Sequence, residues 1–287
     1  MAAQYILNGF VSGMILALPA VALTLVYGIL KFPNFASGAM LTAGAYLALI
    51  FNVYFGMSLL WAAIVGSVIF AFIAVGIDQA VFRQLRDRTS ITLLVCSMGV
   101  SFVLENIARF IFGNGARSYD LAIARPKHFL GLRINNEQII TAVTVIAAMI
   151  VVYLILRHTA LGRAMRAVAD NPSLAAARGI RRESIVRWTW GITGCLTAVA
   201  GVLAGMDRAI DPLLGWNYIV STFAAAILGG LGNPVGAVIG ALVVGVVEET
   251  STLFMPPNYR QIVSFVAIAL LLILRPQGLF GVARIKK

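Results

Sequence analysis

The chain of 287 residues is 60% hydrophobic and only 11% charged, and its mean hydropathy of +0.93 excludes an ordinary soluble domain. The net charge is +11, but the basic residues are spread along the chain without a common face, which argues against nucleic acid as a partner. We therefore expect an integral membrane protein with one membrane domain, because apolar runs recur over the whole length.

Apolar runs long enough to cross the hydrocarbon layer, about 20 residues each, set the predicted fold. The first run continues to Leu30 without a preceding basic segment, which predicts a retained span and not a signal peptide. Nine spans are predicted, at 6–30, 36–55, 58–77, 90–112, 137–156, 188–206, 219–232, 235–254 and 260–275. The seventh is short and Gly-rich, so a full span and a broken or re-entrant segment both remain open. The fold class is an all-α bundle of about 8–9 transmembrane helices.

The distribution of Lys and Arg sets the orientation of these spans. Basic residues concentrate on the cytoplasmic side of membrane proteins. Most of the 22 Lys and Arg residues fall on the side that carries the segment 157–187 and the C-terminus. With nine crossings the N-terminus lies outside, in agreement with the absence of any basic residue before Lys31.

Glycines and cysteines inside the spans indicate packing. Gly9 and Gly13, like Gly236 and Gly240, are four residues apart, a spacing that lets helices approach closely in lipid. The two cysteines lie in different predicted spans, and neither histidine has other ligand types at metal spacing. No disulfide, metal site or catalytic residue is predicted.

A basic, alanine-rich insert separates the fifth and sixth predicted spans. Its centre reads GRAMRAVADNPSLAAARGI over 162–180. The residues before Asp170 are good helix formers, Asp170 and Asn171 favour a turn or cap, and Pro172 suits the start of a new helix. Gly179 then ends the second helix, as glycine often does. A helix-turn-helix at the cytoplasmic surface is predicted.

The chemistry of the insert leaves two interpretations equally open. Its alanines make a smooth surface that another protein can approach, and Arg163, Arg166 and Arg178 can pair with acidic groups or lipid phosphates. A basic loop that only fixes the topology would carry the same residues.

The stretch FPNFASG at 32–38 interrupts the first two spans. Pro33 stops the preceding helix and Asn34 can cap the next one. Broken helices expose backbone groups that transporters use to bind solutes, which makes Asn34 and Ser37 candidate pathway residues. A tight interhelical loop is an equally good interpretation.

Ionisable residues inside spans are costly and therefore candidates for function. Asp78, Glu248 and Glu249 fall near predicted span ends, where snorkelling to the interface is expected. Glu105 lies well inside the fourth span, one turn before Arg109. For Glu105 a local ion pair with Arg109 is favoured over a substrate contact, and both interpretations remain open.

The order of motifs resembles one known family. TALGRAMRAVADNPSLAAARGI is followed by GVLAG, by FAAAILGGLGNPVGAVIGALVVGVVEE and by RPQGLFG, and the likeness extends back to GMILALPAVALTLVYGILKFPNFASGAMLTAGAY. The series is similar to the permease subunits of branched-chain amino acid ABC importers, of the LivH type. This resemblance implies a single permease domain over 1–287, a multi-pass protein of the bacterial cytoplasmic (inner) membrane, with residues 157–187 as its coupling segment.

The resemblance also implies partners. In the family the coupling segment docks in a groove on two ATP-binding subunits, and a second, paralogous permease subunit and an extracytoplasmic solute-binding protein complete the importer. ATP and Mg would be bound by the partner subunits, because this sequence has no G-x-x-x-x-G-K-[ST] motif. The residues expected at the docking contact are Gly162, Arg163, Arg166, Asp170, Asn171, Pro172, Ala176 and Gly179.

The function implied by the resemblance is import of Leu, Ile and Val by a subunit that is not itself an enzyme. Asn34, Ser37 and Glu105 are its candidate pathway residues. Many members of the family carry a histidine and an acid where Ser37 and Ala39 stand here, which keeps urea, short amides and other amino or organic acids open as solutes. A self-sufficient secondary transporter is less favoured, because few ionisable residues are central.

Overall fold

The computed structural model describes residues 2–121, 127–129, 132–256, 259–274 and 278–280, and it confirms the all-α class. The helices are α1 (Ala2–Leu30), α2 (Ala36–Leu49), α3 (Leu59–Ile77), α4 (Arg83–Leu85), α5 (Ser90–Phe112), α6 (Asn136–His158), α7 (Ala160–Asp170), α8 (Pro172–Ala177), α9 (Arg182–Asp207), α10 (Leu214–Gly229), α11 (Pro234–Ser251) and α12 (Arg260–Leu274). Short π-helical turns extend α2 over Ile50–Tyr54 and join α3 to α4 over Asp78–Phe82. Two short strands, β1 (Lys127–Phe129) and β2 (Leu132–Ile134), pair antiparallel between α5 and α6.

Seven helices in the described part of the chain are long and apolar enough to cross a membrane. They match the first six predicted spans and the eighth, while α10 and α12 provide shorter apolar helices at the seventh and ninth. The predicted bounds 219–232 are wrong for α10, which runs from Leu214 to Gly229. The helix stops there because Gly230 and Gly232 adopt φ angles of 97° and 98°. At 1.5 Å per residue α10 is about 24 Å long, somewhat short of a ~30 Å hydrocarbon layer.

Helix α1 lies at the centre of the bundle and packs against α6, α9, α10 and α11. Its sequence is apolar on every side, and 89% of the residues in its most apolar stretch are buried. Gly9 and Gly13 of α1 lie against α11, and a Cβ atom added at Gly245 would meet the backbone of Gly13. The predicted Gly9–Gly13 face therefore brings the backbones of α1 and α11 into direct contact, whereas Gly236 and Gly240 of α11 lie against Ala225 and Gly229 of α10.

A second group of helices packs around α9. Gly44 of α2 lies against Ala198 of α9, and Gly194 of α9 lies against Ala74 of α3. Helices α5 and α6 lie at the periphery, where only 28% and 17% of their most apolar stretches are buried within the chain. Their outer faces therefore meet lipid or a neighbouring subunit.

The loop that follows α5 is held onto the end of the bundle at which α9 ends. The backbones of Arg117 and Ile210 form an antiparallel bridge with N···O distances of 2.8 and 2.7 Å. The buried Tyr119 hydroxyl donates a hydrogen bond to the Ala45 carbonyl oxygen at 3.0 Å. Burial raises the pKa of Tyr119, so this hydroxyl keeps the proton that it donates.

Candidate functional site

The insert between α6 and α9 folds as the predicted helix-turn-helix. Thr159 caps α7, and its side-chain oxygen accepts a hydrogen bond from the Gly162 backbone N–H at 3.1 Å. Asn171 ends α7 and caps α8, and Pro172 stands in the first turn of α8. Gly179 follows α8 with a φ of 81°, a left-handed conformation that favours glycine. Each break that the sequence predicts in the insert is found at its predicted residue.

Helices α7 and α8 turn one face towards the bundle and the other outwards. The inner face packs on α1, α6 and α9 and consists of the buried residues Gly162, Met165, Val168 and Ala175. Most residues of the predicted docking contact are exposed, namely Arg163, Arg166, Asp170, Asn171, Pro172, Ala176 and Gly179. Gly162 is the exception, because a Cβ atom there would meet the carbonyl oxygens of Ile155 and Leu156. It serves the close approach of α7 to α6.

The arginines of the insert differ in what they contact. Arg166 donates a hydrogen bond to the carbonyl oxygen of Leu156, in the last turn of α6. Its charge therefore satisfies a backbone group at a helix C-terminus. The exposed side chain of Arg163 makes no hydrogen bond or ion pair within the described ranges. Of the two, Arg163 is the arginine that is available to a partner.

An ion network joins the end of α3 to the start of α9, directly after the insert. Arg86 donates hydrogen bonds to the carboxylates of Asp78 and of Glu183, the latter at 2.5 Å. Arg83 adds an ion pair to Glu183 at 3.3 Å. Burial disfavours the charge of Arg86, but the hydrogen bonds and charges of the two acids raise its pKa above the usual value.

This network corrects the prediction that Asp78 snorkels to the interface. Asp78 is fully buried and Arg86 neutralises it inside the protein. The sequence places acid and base near one span end, but Glu183 lies 97 residues beyond Arg86. Sequence spacing carries no signal for this third member.

Asn34, in the turn between α1 and α2, and Ser37, in the first turn of α2, are both buried and hydrogen-bonded to neighbouring backbone groups. The Asn34 side-chain oxygen accepts from the Ala36 backbone N–H at 3.0 Å, and the Ser37 hydroxyl donates to the Asn34 carbonyl oxygen at 2.9 Å. The Phe35 N–H donates to the Ser97 hydroxyl of α5 at 3.0 Å. These bonds fit the interhelical-loop interpretation, and the pathway role of both residues stays a prediction.

Glu105 is buried in α5 and bonded to two side chains. Arg109 donates to one carboxylate oxygen at 3.1 and 2.6 Å, as the favoured local pair requires. The Trp216 indole N–H of α10 donates to the other oxygen at 2.7 Å. Trp216 lies 111 residues away in the chain, so its part could not be read from local spacing. Glu105 thus ties α5 to α10, and its contact with a solute stays a prediction.

Glu248 is the second carboxylate whose snorkelling prediction is wrong. It is buried in α11, where one oxygen accepts hydrogen bonds from Ser221 of α10 at 2.5 Å and from Ser264 of α12. The neighbouring Glu249 pairs with Arg260 at the start of α12. Serines from two adjacent helices satisfy Glu248 inside the protein, and the cluster joins α10, α11 and α12.

The described residues offer no group of three or more His, Cys, Asp or Glu side chains that could hold a metal ion. Cys96 and Cys195 are free thiols on separate helices. What the structure presents is an exposed surface of two short helices, α7 and α8, whose inner face packs on the helix bundle.

Comparisons with known proteins agree with this arrangement. Residues 5–273 match the family described as branched-chain amino acid transport system / permease component. The chain is 30% identical to the high-affinity branched-chain amino acid transport system permease protein LivH of Escherichia coli (strain K12), over 99% of this chain and 97% of the relative. It is also 30% identical, with the same coverage, to the permease protein BraD of Pseudomonas aeruginosa.

One solved structure shows the same fold at low sequence identity. PsaBC from Streptococcus pneumoniae in complex with Fab superposes with a TM-score of 0.53 at 15% identity, covering 95% of this chain and 92% of that chain. This structural likeness supports the fold alone, whereas the match to the family model over nearly the whole length shows the family. The chain belongs to the family of permease components of branched-chain amino acid transport systems, and it is a multi-pass permease of the inner membrane.

Proposed function

We propose that this chain is the membrane-spanning subunit of an ATP-driven importer that carries Leu, Ile and Val across the cytoplasmic membrane. The observation that carries the proposal is the match of residues 5–273 to the permease family. ATP and Mg are bound by two separate ATP-binding subunits. A solute-binding protein delivers the amino acid on the outer side.

The outward face of α7 and α8 is the docking surface for the ATP-binding subunits. Arg163 supports this assignment because it is exposed and has no ion-pair partner in the described part of the chain. Leu174, with 59% of its surface exposed, adds a large apolar side chain that a partner would cover. Arginines and apolar side chains together are typical of protein interfaces.

Movement of the insert has two routes into the bundle. The inner face of α7 packs on α1 and α9, so a displaced insert pushes on both helices. Glu183, in the first turn of α9, is bonded to Arg86 and through it to Asp78 at the end of α3. The insert and the ion network therefore act on the same end of α9. Alternating access follows if α9 can pack in two arrangements, inward-open and outward-open, that differ little in free energy.

The second permease subunit packs against the outward face of α5, and solute passes between the two. Gly99 on this face has open space where a Cβ atom would lie. The exposed Asn106 side chain donates a hydrogen bond to the Phe102 carbonyl oxygen of its own helix at 2.8 Å. An exposed amide is costly against lipid, so a protein neighbour or an aqueous path suits this face better.

A mostly apolar pathway is consistent with these solutes. Burial of a branched aliphatic side chain stabilises a complex by roughly 1.5–3 kcal/mol, and the charged ends of the amino acid need only a few dipoles. A pathway that bound more tightly would trap its solute. Selectivity then resides in the solute-binding protein, and the permease contributes weak contacts.

The test is ATP-dependent leucine uptake into proteoliposomes that contain this chain with its partner subunits and binding protein. We compare wild type with Arg163→Glu, and Arg88→Glu serves as the matched control because Arg88 is an exposed cytoplasmic arginine outside the insert. Uptake and stimulated ATPase activity are expected to fall at least tenfold in Arg163→Glu, which corresponds to a loss of about 1.4 kcal/mol or more of coupling free energy. Both activities should stay near wild type in Arg88→Glu.

Two results would change the proposal. Uptake that does not respond to ATP would remove the importer itself. Uptake that ignores leucine, isoleucine and valine but accepts urea or a short amide would keep the importer and replace the solute.

A further inference from the structure

A large cavity lies between α1, α6, α7 and α11. Its volume is about 1570 Å³, well above the roughly 300–1,000 Å³ of a site for a small ligand. Its walls come from the last turns of α1 and α6 and the first turns of α11, which places it at the cytoplasmic end of these spans. The exposed side chains of Tyr153 and Ile239 belong to its lining, so it opens to the outside of the subunit.

An apolar groove continues from this cavity towards the membrane centre. A second cavity of about 320 Å³ lies between α1, α6 and α11 and shares Met149, Tyr153 and Val238 with the first. Apart from Tyr153, its lining consists of Met, Ala, Val, Ile and Leu side chains. A narrow apolar groove beside α6, whose outer face is mostly exposed, suits an acyl chain.

The wide end of the cavity carries basic residues. Arg157, Arg166 and Lys31 line it, and the carboxylate in the described lining is Asp170. The Arg157 guanidinium lies 5.7 Å from the centre of the Tyr153 ring and is exposed. Arg166 spends one donor on the Leu156 carbonyl oxygen, which leaves other N–H groups of its guanidinium for a ligand.

This combination identifies the ligand by its chemistry. Guanidinium groups bind phosphate oxygens in a forked geometry. Basic pockets between membrane-spanning helices on the cytoplasmic side bind anionic lipid headgroups. A free phosphate would satisfy the arginines but leave the apolar groove empty, whereas a phospholipid fills both ends.

We propose that this cavity is a binding site for one anionic phospholipid of the cytoplasmic leaflet. Its phosphate lies between Arg157 and Arg166, and an acyl chain runs past Val238 along the groove. Because Arg166 belongs to α7, the lipid contacts the insert as well as α1, α6 and α11. The site does not depend on which solute the importer carries.

The experiment counts retained lipids by native mass spectrometry of the full chain, purified with its co-purifying subunits and equilibrated with phosphatidylglycerol or phosphatidylethanolamine. Wild type is expected to retain one phosphatidylglycerol per chain in preference to phosphatidylethanolamine. Arg157→Gln should lower this retention about fivefold, the effect of one basic residue at an anionic lipid surface. Arg88→Gln removes an exposed cytoplasmic arginine that does not line the cavity and should change nothing.

A second pair of variants tests the groove. Val238→Trp fills the point where the two cavities meet and should abolish retention, while Val243→Trp lies on the same helix outside both linings and should not. Equal retention of the two lipids, equal loss in Arg157→Gln and Arg88→Gln, or unchanged retention in a folded Val238→Trp would each overturn the proposal. Loss of leucine uptake in Val238→Trp with lipid retention unchanged would make the cavity a solute passage instead.

Discussion

Arg86 donates a hydrogen bond to Asp78 where both side chains are buried at the C-terminal end of the third span. The same guanidinium bonds Glu183 in the first turn of α9, directly after the insert. One side chain therefore holds together the end of α3 and the start of the helix that the insert would move. The proposed coupling therefore depends on the hydrogen bonds of Arg86 to Asp78 and Glu183.

Replacing Arg86 by Gln should destabilise the chain strongly. It leaves Asp78 buried without its counter-charge, and breaking a buried ion pair from one side costs about 3–5 kcal/mol. Arg83→Gln removes an exposed partner of the same Glu183 and should cost no more than about 1 kcal/mol. Thermal unfolding of the purified protein in detergent compares the two.

A double variant distinguishes the loss of the Asp78–Arg86 ion pair from the effect of leaving one of its charges buried alone. Asp78→Asn combined with Arg86→Gln removes both buried charges and should recover part of the stability lost in Arg86→Gln alone. Equal unfolding temperatures for Arg86→Gln and Arg83→Gln would show that the buried pair contributes nothing beyond an exposed one.

Glu105→Gln should reduce stability and leave the KM for leucine unchanged. The variant keeps the size of the side chain but weakens the bonds from Arg109 and Trp216, a loss of about 1–3 kcal/mol for hydrogen bonds to a buried charge. Unfolding temperature and the concentration dependence of uptake are measured on the same preparation. Trp216→Phe, which removes only the indole N–H, should show a smaller loss of the same kind. A changed KM at full stability would instead place Glu105 in the solute pathway.

Hydrophobic run length predicted the helices well, because nothing but a helix satisfies the backbone in lipid over such lengths. The prediction missed the bounds of α10, because its first residues, Leu214 to Trp216, are held by contacts to other helices: the Gly215 N–H donates a hydrogen bond to the Thr42 hydroxyl of α2 at 2.8 Å. Trp216 in particular is bonded to Glu105 across two helices. When tertiary contacts of this kind determine where a helix begins, the local sequence carries no pattern that predicts that position.

Local signals also predicted the insert correctly. Asn171, Pro172 and Gly179 act through hydrogen bonds or backbone angles within a few residues, and each is found at its predicted break. The snorkelling predicted for Asp78 and Glu248 was wrong for the opposite reason. Whether a carboxylate such as Glu248 snorkels or is buried depends on Ser221 and Ser264, which come from other helices.

Gly245→Ala should weaken the contact between α1 and α11. The added Cβ atom would meet the backbone of Gly13 and the Gly9 carbonyl oxygen, and overpacking of this kind costs about 1–3 kcal/mol. Gly76→Ala is the matched control, because Gly76 is an exposed helical glycine on α3 with open space around it. That control should be neutral or stabilising by about 0.5–1 kcal/mol. Unfolding temperatures that fall equally in both would contradict the close approach of the two backbones.

Gly179→Ala should loosen the end of the insert without disturbing the bundle. Nothing lies within 4 Å of the place a Cβ atom would take, so the cost comes from the φ of 81° alone, about 1–2 kcal/mol. The backbone bond from the Ile180 N–H to the Ala175 carbonyl oxygen, 3.0 Å in length, should then open more often. Hydrogen exchange at this amide is expected to rise about 5–30-fold, in step with that cost.

Gly179→Asn separates backbone strain from the loss of a glycine, because asparagine tolerates the left-handed conformation better than alanine. Its exchange rate and its ATPase stimulation by binding protein should lie between those of wild type and Gly179→Ala. If Gly179→Ala raised exchange at Ile180 but left ATPase stimulation and uptake at wild-type levels, the end of α8 would take no part in docking. The coupling contact would then rest on α7 and Arg163.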